Sequence, residues 1–277
     1  MINEKIKIIK APDSQKPFVI IDKPSGMPSA PLSSDDTNNA FYHAAKLFPE
    51  LLNVNGKKQI EHGLLHRLDT ATSGLMIIAA TQECYDFLQQ EQQENKIIKT
   101  YLAECKLQFA DSKMQFAVPE IQFAVPEIQF AVPEIQFAVP EALEGLEGLE
   151  TQSYTISSYF RPYGPGRKEV RPVTEASNKA ALDKVQKKVL YTTNITIKSI
   201  NKITNTAIVE CKITNGYRHQ VRCHLAWIGL PIINDNIYNP ECKNKKSTEQ
   251  MHFCASKLQF EYPKGDLNSY VRKDTWT

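Results

Sequence analysis

His66-Arg67-Leu68-Asp69-Thr70-Ala71-Thr72-Ser73-Gly74-Leu75-Met76-Ile77-Ile78-Ala79-Ala80-Thr81 sets a short polar loop against an apolar run. The run from Gly74 to Thr81 reads as a buried strand, and Thr81 to about Asn95 as the helix that follows it. The loop from Asp69 to Gly74 is polar and bounded by apolar residues on both sides. Such a loop holds a carboxylate at the edge of a sheet while the scaffold keeps it still. Asp followed by Thr and Ser is also ordinary turn chemistry, through side-chain to backbone hydrogen bonds, and the loop by itself favours the turn.

Upstream, Pro17 to Asp22 is a short apolar strand ending in the turn Lys23-Pro24-Ser25-Gly26. Asn38 to Leu52 carries Phe41, Ala44, Ala45 and Phe48 at helical spacing, with a cap near Thr37. Downstream, Lys99 to Leu107 alternates as a strand. Asn194 to Ile200 and Thr206 to Ile213 pattern as a β-hairpin with Ala207, Val209, Cys211 and Ile213 on one face. A helix runs from about Tyr217 to Ile228 and stops at Gly229, and Met251 to Tyr262 alternates again. Strands following strands, with helices interspersed irregularly, predict an α+β fold with a largely antiparallel sheet.

The chain has 277 residues, 42% hydrophobic and 23% charged, which excludes wholesale disorder. Met1 to Lys10 mixes charges with isoleucines and leads into no apolar core, so no secretory signal is expected. The longest apolar run, Leu75 to Ala80, is far too short to cross a bilayer. A cytoplasmic protein with no membrane partner is expected. The six cysteines, Cys84, Cys105, Cys211, Cys223, Cys242 and Cys254, include no C-x-x-C pair and read as buried thiols rather than a zinc site or disulfide framework. His252 and Cys254 with Cys223 and His224 resemble metal ligands only superficially, because alternate residues on a strand point the same way without any metal. No metal is expected.

The net charge of +2 conceals a division. Residues 111 to 150 hold one Lys against eight Asp or Glu, a net of −7, so the remainder holds 32 basic against 23 acidic residues, a net of +9. Arg161 to Lys188 alone has eight basic and three acidic residues. Such a chain attracts a polyanion, although a solvated charged face explains the same count.

The acidic segment is a tandem repeat. Gln-Phe-Ala-Val-Pro-Glu-Ile occupies 115–121, 122–128 and 129–135, a fourth copy runs from Gln136 to Glu141, and Leu-Glu-Gly then repeats twice. Proline in every copy (Pro119, Pro126, Pro133, Pro140) rules out the coiled coil that a seven-residue period suggests. Residues 111–150 read as a low-complexity heptad-repeat insertion remote from any chemistry.

Two further segments carry candidate chemistry. In Asn215-Gly216-Tyr217-Arg218-His219-Gln220-Val221-Arg222-Cys223-His224-Leu225, a helix puts Arg218 and Arg222 on one face and Val221, Leu225 and Ile228 on the other. Two guanidinium groups there suit phosphates or a carboxylate, and a solvated basic face is an equal reading. In Lys99-Thr100-Tyr101-Leu102-Ala103, Tyr101 alternates into a strand, where a half-buried ring is the ordinary outcome.

In this order the three segments resemble the RluA family of pseudouridine synthases. The likeness lies in His66-Arg67-Leu68-Asp69 with Thr72-Ser73-Gly74-Leu75, in Lys99-Thr100-Tyr101-Leu102-Ala103, and in Gly216 with His219-Gln220-Val221-Arg222 and His224-Leu225-Ala226. Asp22-Lys23-Pro24-Ser25-Gly26-Met27, Gly229-Leu230-Pro231-Ile232 with Asp235 and Tyr238, and His252 with Leu258, Phe260 and Pro263 extend it over about residues 17 to 265. The resemblance implies a single catalytic domain over 1–277, an α+β pseudouridine synthase fold with a central mixed sheet and flanking helices. No separate N-terminal RNA-binding module is expected.

It also implies the activity: uridine in structured RNA, ribosomal or transfer, is isomerised by an aspartate nucleophile without a cofactor, by a chain expected to be monomeric. Asp69 would be the nucleophile, Tyr101 would pack on the target base and assist proton transfer, and Arg222 would pair with Asp69. Val221 would line the pocket, and Arg67 and Arg218, with His219 and Gln220, would meet the substrate. The family's usual Arg and carboxylate after the aspartate are here Thr70 and Ala71. Its basic residue near the later motif is displaced by one to Arg218, and its Gly before the later aspartate is Asn234. An RNA-binding protein that kept the scaffold and lost the chemistry is the rival reading. A metal-dependent hydrolase ranks last, because no carboxylate cluster accompanies Asp69 in the sequence.

Overall fold

The computed structural model describes residues 6–107, 153–185, 188–243 and 249–273; the repeat insertion at 111–150 lies outside them. In chain order the elements are β1 (Lys7–Lys10), β2 (Phe18–Lys23), α1 (Ala40–Leu47), β3 (Ser73–Ala79), α2 (Gln82–Gln93), β4 (Ile98–Lys106), β5 (Ser153–Tyr163), β6 (Glu169–Val173), α3 (Lys179–Leu182), β7 (Tyr191–Asn201), β8 (Thr206–Ile213), α4 (Gln220–Trp227), β9 (Phe253–Glu261) and β10 (Leu267–Val271). They gather into two compact units. The first contains the chain up to Leu102 together with everything from Phe253 onward, and the second runs from Ala103 to His252.

In the first unit β1, β2 and β3 form an antiparallel ribbon, with Phe18 opposite Ala79 and Lys23 opposite Gly74. Both β2 and β3 are buried along their whole length, which explains their unbroken apolar runs. β3 then pairs in parallel with β9, Ser73 beside Cys254 and Gly74 beside Ala255, and β10 adds antiparallel to β9. Pairing in this unit is therefore mixed but largely antiparallel, as the sequence predicts. Phe18, Ile20, Leu75, Ile77, Leu88 and Phe260 belong to its core, where Phe18 meets Phe260 edge to face at 5.2 Å between ring centroids.

The helices begin where side-chain caps allow. The Thr81 side chain accepts a hydrogen bond from the Cys84 amide at the start of α2. For α1 the sequence expectation needs correction: the cap is Asn39, accepting from the Tyr42 amide, and the helix ends at Leu47. Pro49 cannot donate to the preceding turn, so residues Pro49–Asn53 form a separate 3-10 turn rather than continuing to Leu52.

The second unit is antiparallel in the order β6-β5-β7-β8. The expected hairpin is present as β7 and β8, joined through Asn201 to Thr206. Helix α4 is shorter than its apolar spacing implies. It begins at Gln220 because His219 adopts a left-handed backbone at φ 58°, so Tyr217 and Arg218 precede it. The expectation that Arg218 and Arg222 share one helix face is thereby overturned.

Gly74 leaves no room for a side chain. Its φ is +121°, and a Cβ there would lie 2.3 Å from the Ala255 carbonyl oxygen, across the parallel β3–β9 contact. Gly74→Ala is expected to cost at least about 3 kcal/mol of unfolding free energy, read as a lowered urea midpoint.

Candidate active site

Asp69 is held by a loop that a second loop clamps. Ser29 Oγ donates to the Leu68 carbonyl at 2.6 Å and accepts from the Leu68 amide at 2.9 Å. The Gly26 amide donates to the Thr70 carbonyl at 2.8 Å, and Ser25 Oγ to the Ala71 carbonyl at 2.8 Å. The Thr72 amide closes the turn onto the Asp69 carbonyl at 3.0 Å. The carbonyls of Leu68, Asp69, Thr70 and Ala71 are thus committed, and the half-buried Asp69 side chain stands on a fixed base.

Lys23 completes the clamp. Its ammonium is fully buried and donates to the carbonyls of Pro24 (2.9 Å), Met27 (2.7 Å) and Thr70 (3.3 Å). Burial pushes its pKa down to about 7, against the opposing pull of the Asp69 and Asp22 carboxylates. The carboxylate of Asp22 is in turn bound by Arg272 at 2.8 Å.

Tyr101, from β4, is buried and stacks on Phe253 of β9, with centroids 5.2 Å apart and planes 13° from parallel. Burial, and then the nearby Asp69 charge, push its hydroxyl well above the usual phenol range, so it stays a neutral phenol. Two residues away on the same face of the strand is Lys99, whose burial lowers it to about 8. His66 has both ring nitrogens buried without a hydrogen-bond partner, and burial, then the Lys99 charge, hold it down to about 3. Arg67 by contrast is exposed and pairs with Glu61 at 3.1 Å.

The second unit gathers Arg218, His219, Gln220, Val221 and Arg222 at the start of α4. Arg222 is 3% exposed in its side chain and forms a two-pronged pair with Asp235, 1% exposed, at 2.8 Å for both Nε–Oδ2 and Nη2–Oδ1. Asp235 Oδ1 also accepts from the Ile237 amide at 2.9 Å. Burial alone would raise its carboxyl, but Arg222 and the Ile237 and Tyr238 amides outweigh that and hold it below the usual carboxylate range. The chain reaches Asp235 through Asn234 at φ 62°, a conformation Asn tolerates better than most residues, which explains why it can stand where the family has Gly.

Gln220 is committed inside the protein: its amide donates to the Thr192 carbonyl (2.9 Å) and Thr193 Oγ1 (3.1 Å), and its oxygen accepts from the Tyr217 amide (2.9 Å). His219 Nδ1 lies 3.0 Å from the Tyr238 hydroxyl, and Val221 is buried. His224 bridges Ser158 Oγ (2.9 Å) and Thr193 Oγ1 (2.8 Å), and burial holds it down to about 3. Five of the cysteines are buried, as expected, with Cys242 partly so. Among the described residues no group of His, Cys, Asp and Glu is arranged to hold a metal.

The residues that the sequence reading left without a role are Lys23, Ser29 and Asp235. Lys23 and Asp235 lay inside quoted motifs, so a signal existed. Ser29 had none, since it acts across a loop on the backbone of Leu68.

This fold is that of solved pseudouridine synthases. The structure of human RNA pseudouridylate synthase domain containing 1 superposes with a TM-score of 0.60 at 15% identity, covering 98% of this chain and 84% of that one. The family model for RNA pseudouridylate synthase matches residues 17–227, and the chain belongs to that family, in agreement with the RluA-type motifs. It is 27% identical over 225 residues to the tRNA pseudouridine(31) synthase of Saccharomyces cerevisiae, covering 80% of this chain. It is 23% identical over 258 residues to the ribosomal large subunit pseudouridine synthase D of Borreliella burgdorferi, covering 91% of this chain. The chain spans 44% and 61% of the length of those two relatives.

Two expectations follow from the second unit. Asp235→Ala strips Arg222 of two buried charge-assisted hydrogen bonds and should lower stability by about 3 kcal/mol or more in urea titrations. His224 is neutral when folded and takes up a proton below pH 6.5 only when unfolded, so stability should fall on acidification through that window. Between about pH 7 and about pH 5 the wild type should lose about 2 kcal/mol more than His224→Gln, measured by the same titrations.

Proposed function

We propose that this protein isomerises uridine to pseudouridine within structured RNA, ribosomal or transfer, with Asp69 as the nucleophile. The observation that carries the reading is the Asp69 loop, clamped by Lys23, Ser25, Gly26 and Ser29, with Tyr101 close enough to feel the Asp69 charge. A nucleophile must be held within a fraction of an ångström of its reacting position, and a loop fixed through its own backbone provides that.

The Asp69 carboxylate adds to the ribose C1′ or to the uracil C6, and the N1–C1′ bond breaks. The freed base turns, C5 bonds to C1′, and the bond to Asp69 breaks to return the free carboxylate; C5 then loses its proton and N1 gains one, so atoms and charge balance without redox chemistry. Tyr101, a neutral phenol stacked on Phe253, presents a flat apolar wall to the base and a hydroxyl for proton transfer. Arg222, which the family resemblance makes the partner of the nucleophile, has its guanidinium oriented by Asp235. The exposed Arg67 meets phosphate as the target nucleotide leaves its stack. Gln220, bound on both ends of its amide, positions α4 rather than touching RNA.

Asp69→Asn is expected to abolish pseudouridine formation, read by chemical marking and sequencing of cellular RNA, while RNA affinity changes less than about twofold. Equal pseudouridine in the variant would overturn the assignment of the nucleophile.

A further inference from the structure

The second unit carries a basic turn that the site does not use. β5 and β6 are joined by Gly164-Pro165-Gly166-Arg167-Lys168. Gly164 and Gly166 have φ of +75° and +65°, and Arg167 itself stands at +54°, a left-handed conformation that costs a residue with a Cβ about 1 kcal/mol. Arg167 and Lys168 are exposed, adjacent, and make no side-chain hydrogen bond or ion pair with any described residue. Lys58, Arg67, Lys96, Lys212 and Lys243 each reach a carboxylate instead.

The positive charge continues down the hairpin. Arg161 and Arg171 sit directly across from each other, an arrangement of like charges that ordinarily costs stability. Both guanidinium groups approach the Tyr163 ring, at 5.1 and 3.3 Å from its centroid, which offsets that cost. At its turn end the hairpin is tied to the segment around α4. Arg218 donates to the Arg167 carbonyl and, at 3.3 Å, to that of Glu169. The Val170 amide donates to the Tyr238 hydroxyl at 2.9 Å, and Cys223 Sγ lies 3.4 Å from the Val170 carbonyl.

We propose that the β5–β6 turn is a phosphate-binding site for RNA backbone away from the reacting nucleotide, with Arg167 and Lys168 as the ligands and Arg218 as the brace that fixes the turn. The inference rests on the functional reading above and deepens it. Unpaired neighbouring cations without an apolar surround suit a polyanion bound through counterion release. An acidic peptide would ask for apolar contacts as well, and none of the exposed large apolar residues falls between Arg161 and Val173. The Arg218 guanidinium is engaged with two carbonyls, so it acts on RNA through the turn.

The test uses the full chain with a structured RNA that the wild type modifies, over roughly 50 to 300 mM salt. Arg167→Gln with Lys168→Gln should lower the slope of log affinity against log salt by about 2 and raise KM on the order of tenfold at low salt, with kcat kept. Arg218→Gln should weaken binding in the wild type and add nothing to the double variant, since a brace has no work once the ligands are gone. An unchanged slope and KM in the double variant, or full additivity of Arg218→Gln, overturns the proposal while leaving the isomerase reading intact. A wild type that binds RNA but isomerises no uridine overturns that reading instead, and the salt slopes still decide the turn.

Discussion

At Gly74 the backbone of β3 comes so close to that of β9 that no side chain fits between them. Three consequences follow from that approach. The short parallel pairing of Ser73 and Gly74 with Cys254 and Ala255 fixes the end of the Asp69 loop, because Thr72 and Ser73 lead straight from that loop into β3. It carries Phe253 into the unit, where the ring supports Tyr101. It also places β9 so that Phe260 completes the core around Phe18. Asp69, Tyr101 and the core therefore share one steric constraint, in which glycine is required for the absence of a Cβ rather than for turn formation.

The second unit solves a different problem, which is how to keep charge and polarity in a dry place. Six successive residues of α4, Gln220 to Leu225, are buried, and three of them are polar. Each has its partners: Gln220 the β7 backbone, Arg222 the Asp235 carboxylate, His224 two hydroxyls. A buried network of this kind is stabilising only when every member is satisfied. Its return is orientation, since a guanidinium held at both Nε and Nη2 has little freedom left.

The sequence revealed what periodicity and apolar runs encode. β2, β3, α2 and the β7–β8 hairpin were legible, because their side chains alternate or cluster according to burial. α4 was misread at its start, because Val221, Leu225 and Ile228 give the helical spacing but nothing local announces the left-handed turn at His219. β5 and β6 escaped notice although β5 alternates in burial from Ser153 to Phe160, because a serine (Ser158) takes one of its buried positions and Pro162 and Pro172 interrupt the strands, which exist through pairing with each other and with β7. The candidate site divided in the same way. Asp69, Tyr101 and Arg222 stood out by family order. The clamp by Ser29 and the Arg222–Asp235 pair depend on backbone paths, through the loop to α1 and through Asn234, that no spacing rule reveals.

The first unit is discontinuous, and that has a bearing on how the protein is made. Its last strands, β9 and β10, are synthesised after the whole of the second unit and after the repeat insertion. Until they emerge from the ribosome, β3 has no β9 neighbour at Gly74 and Tyr101 has no Phe253 ring behind it. The nascent chain therefore waits with an apolar strand edge uncovered while its middle is translated, and every residue of the heptad insertion lengthens the wait. Each added repeat would thus prolong the time for which that edge stays unpaired during synthesis.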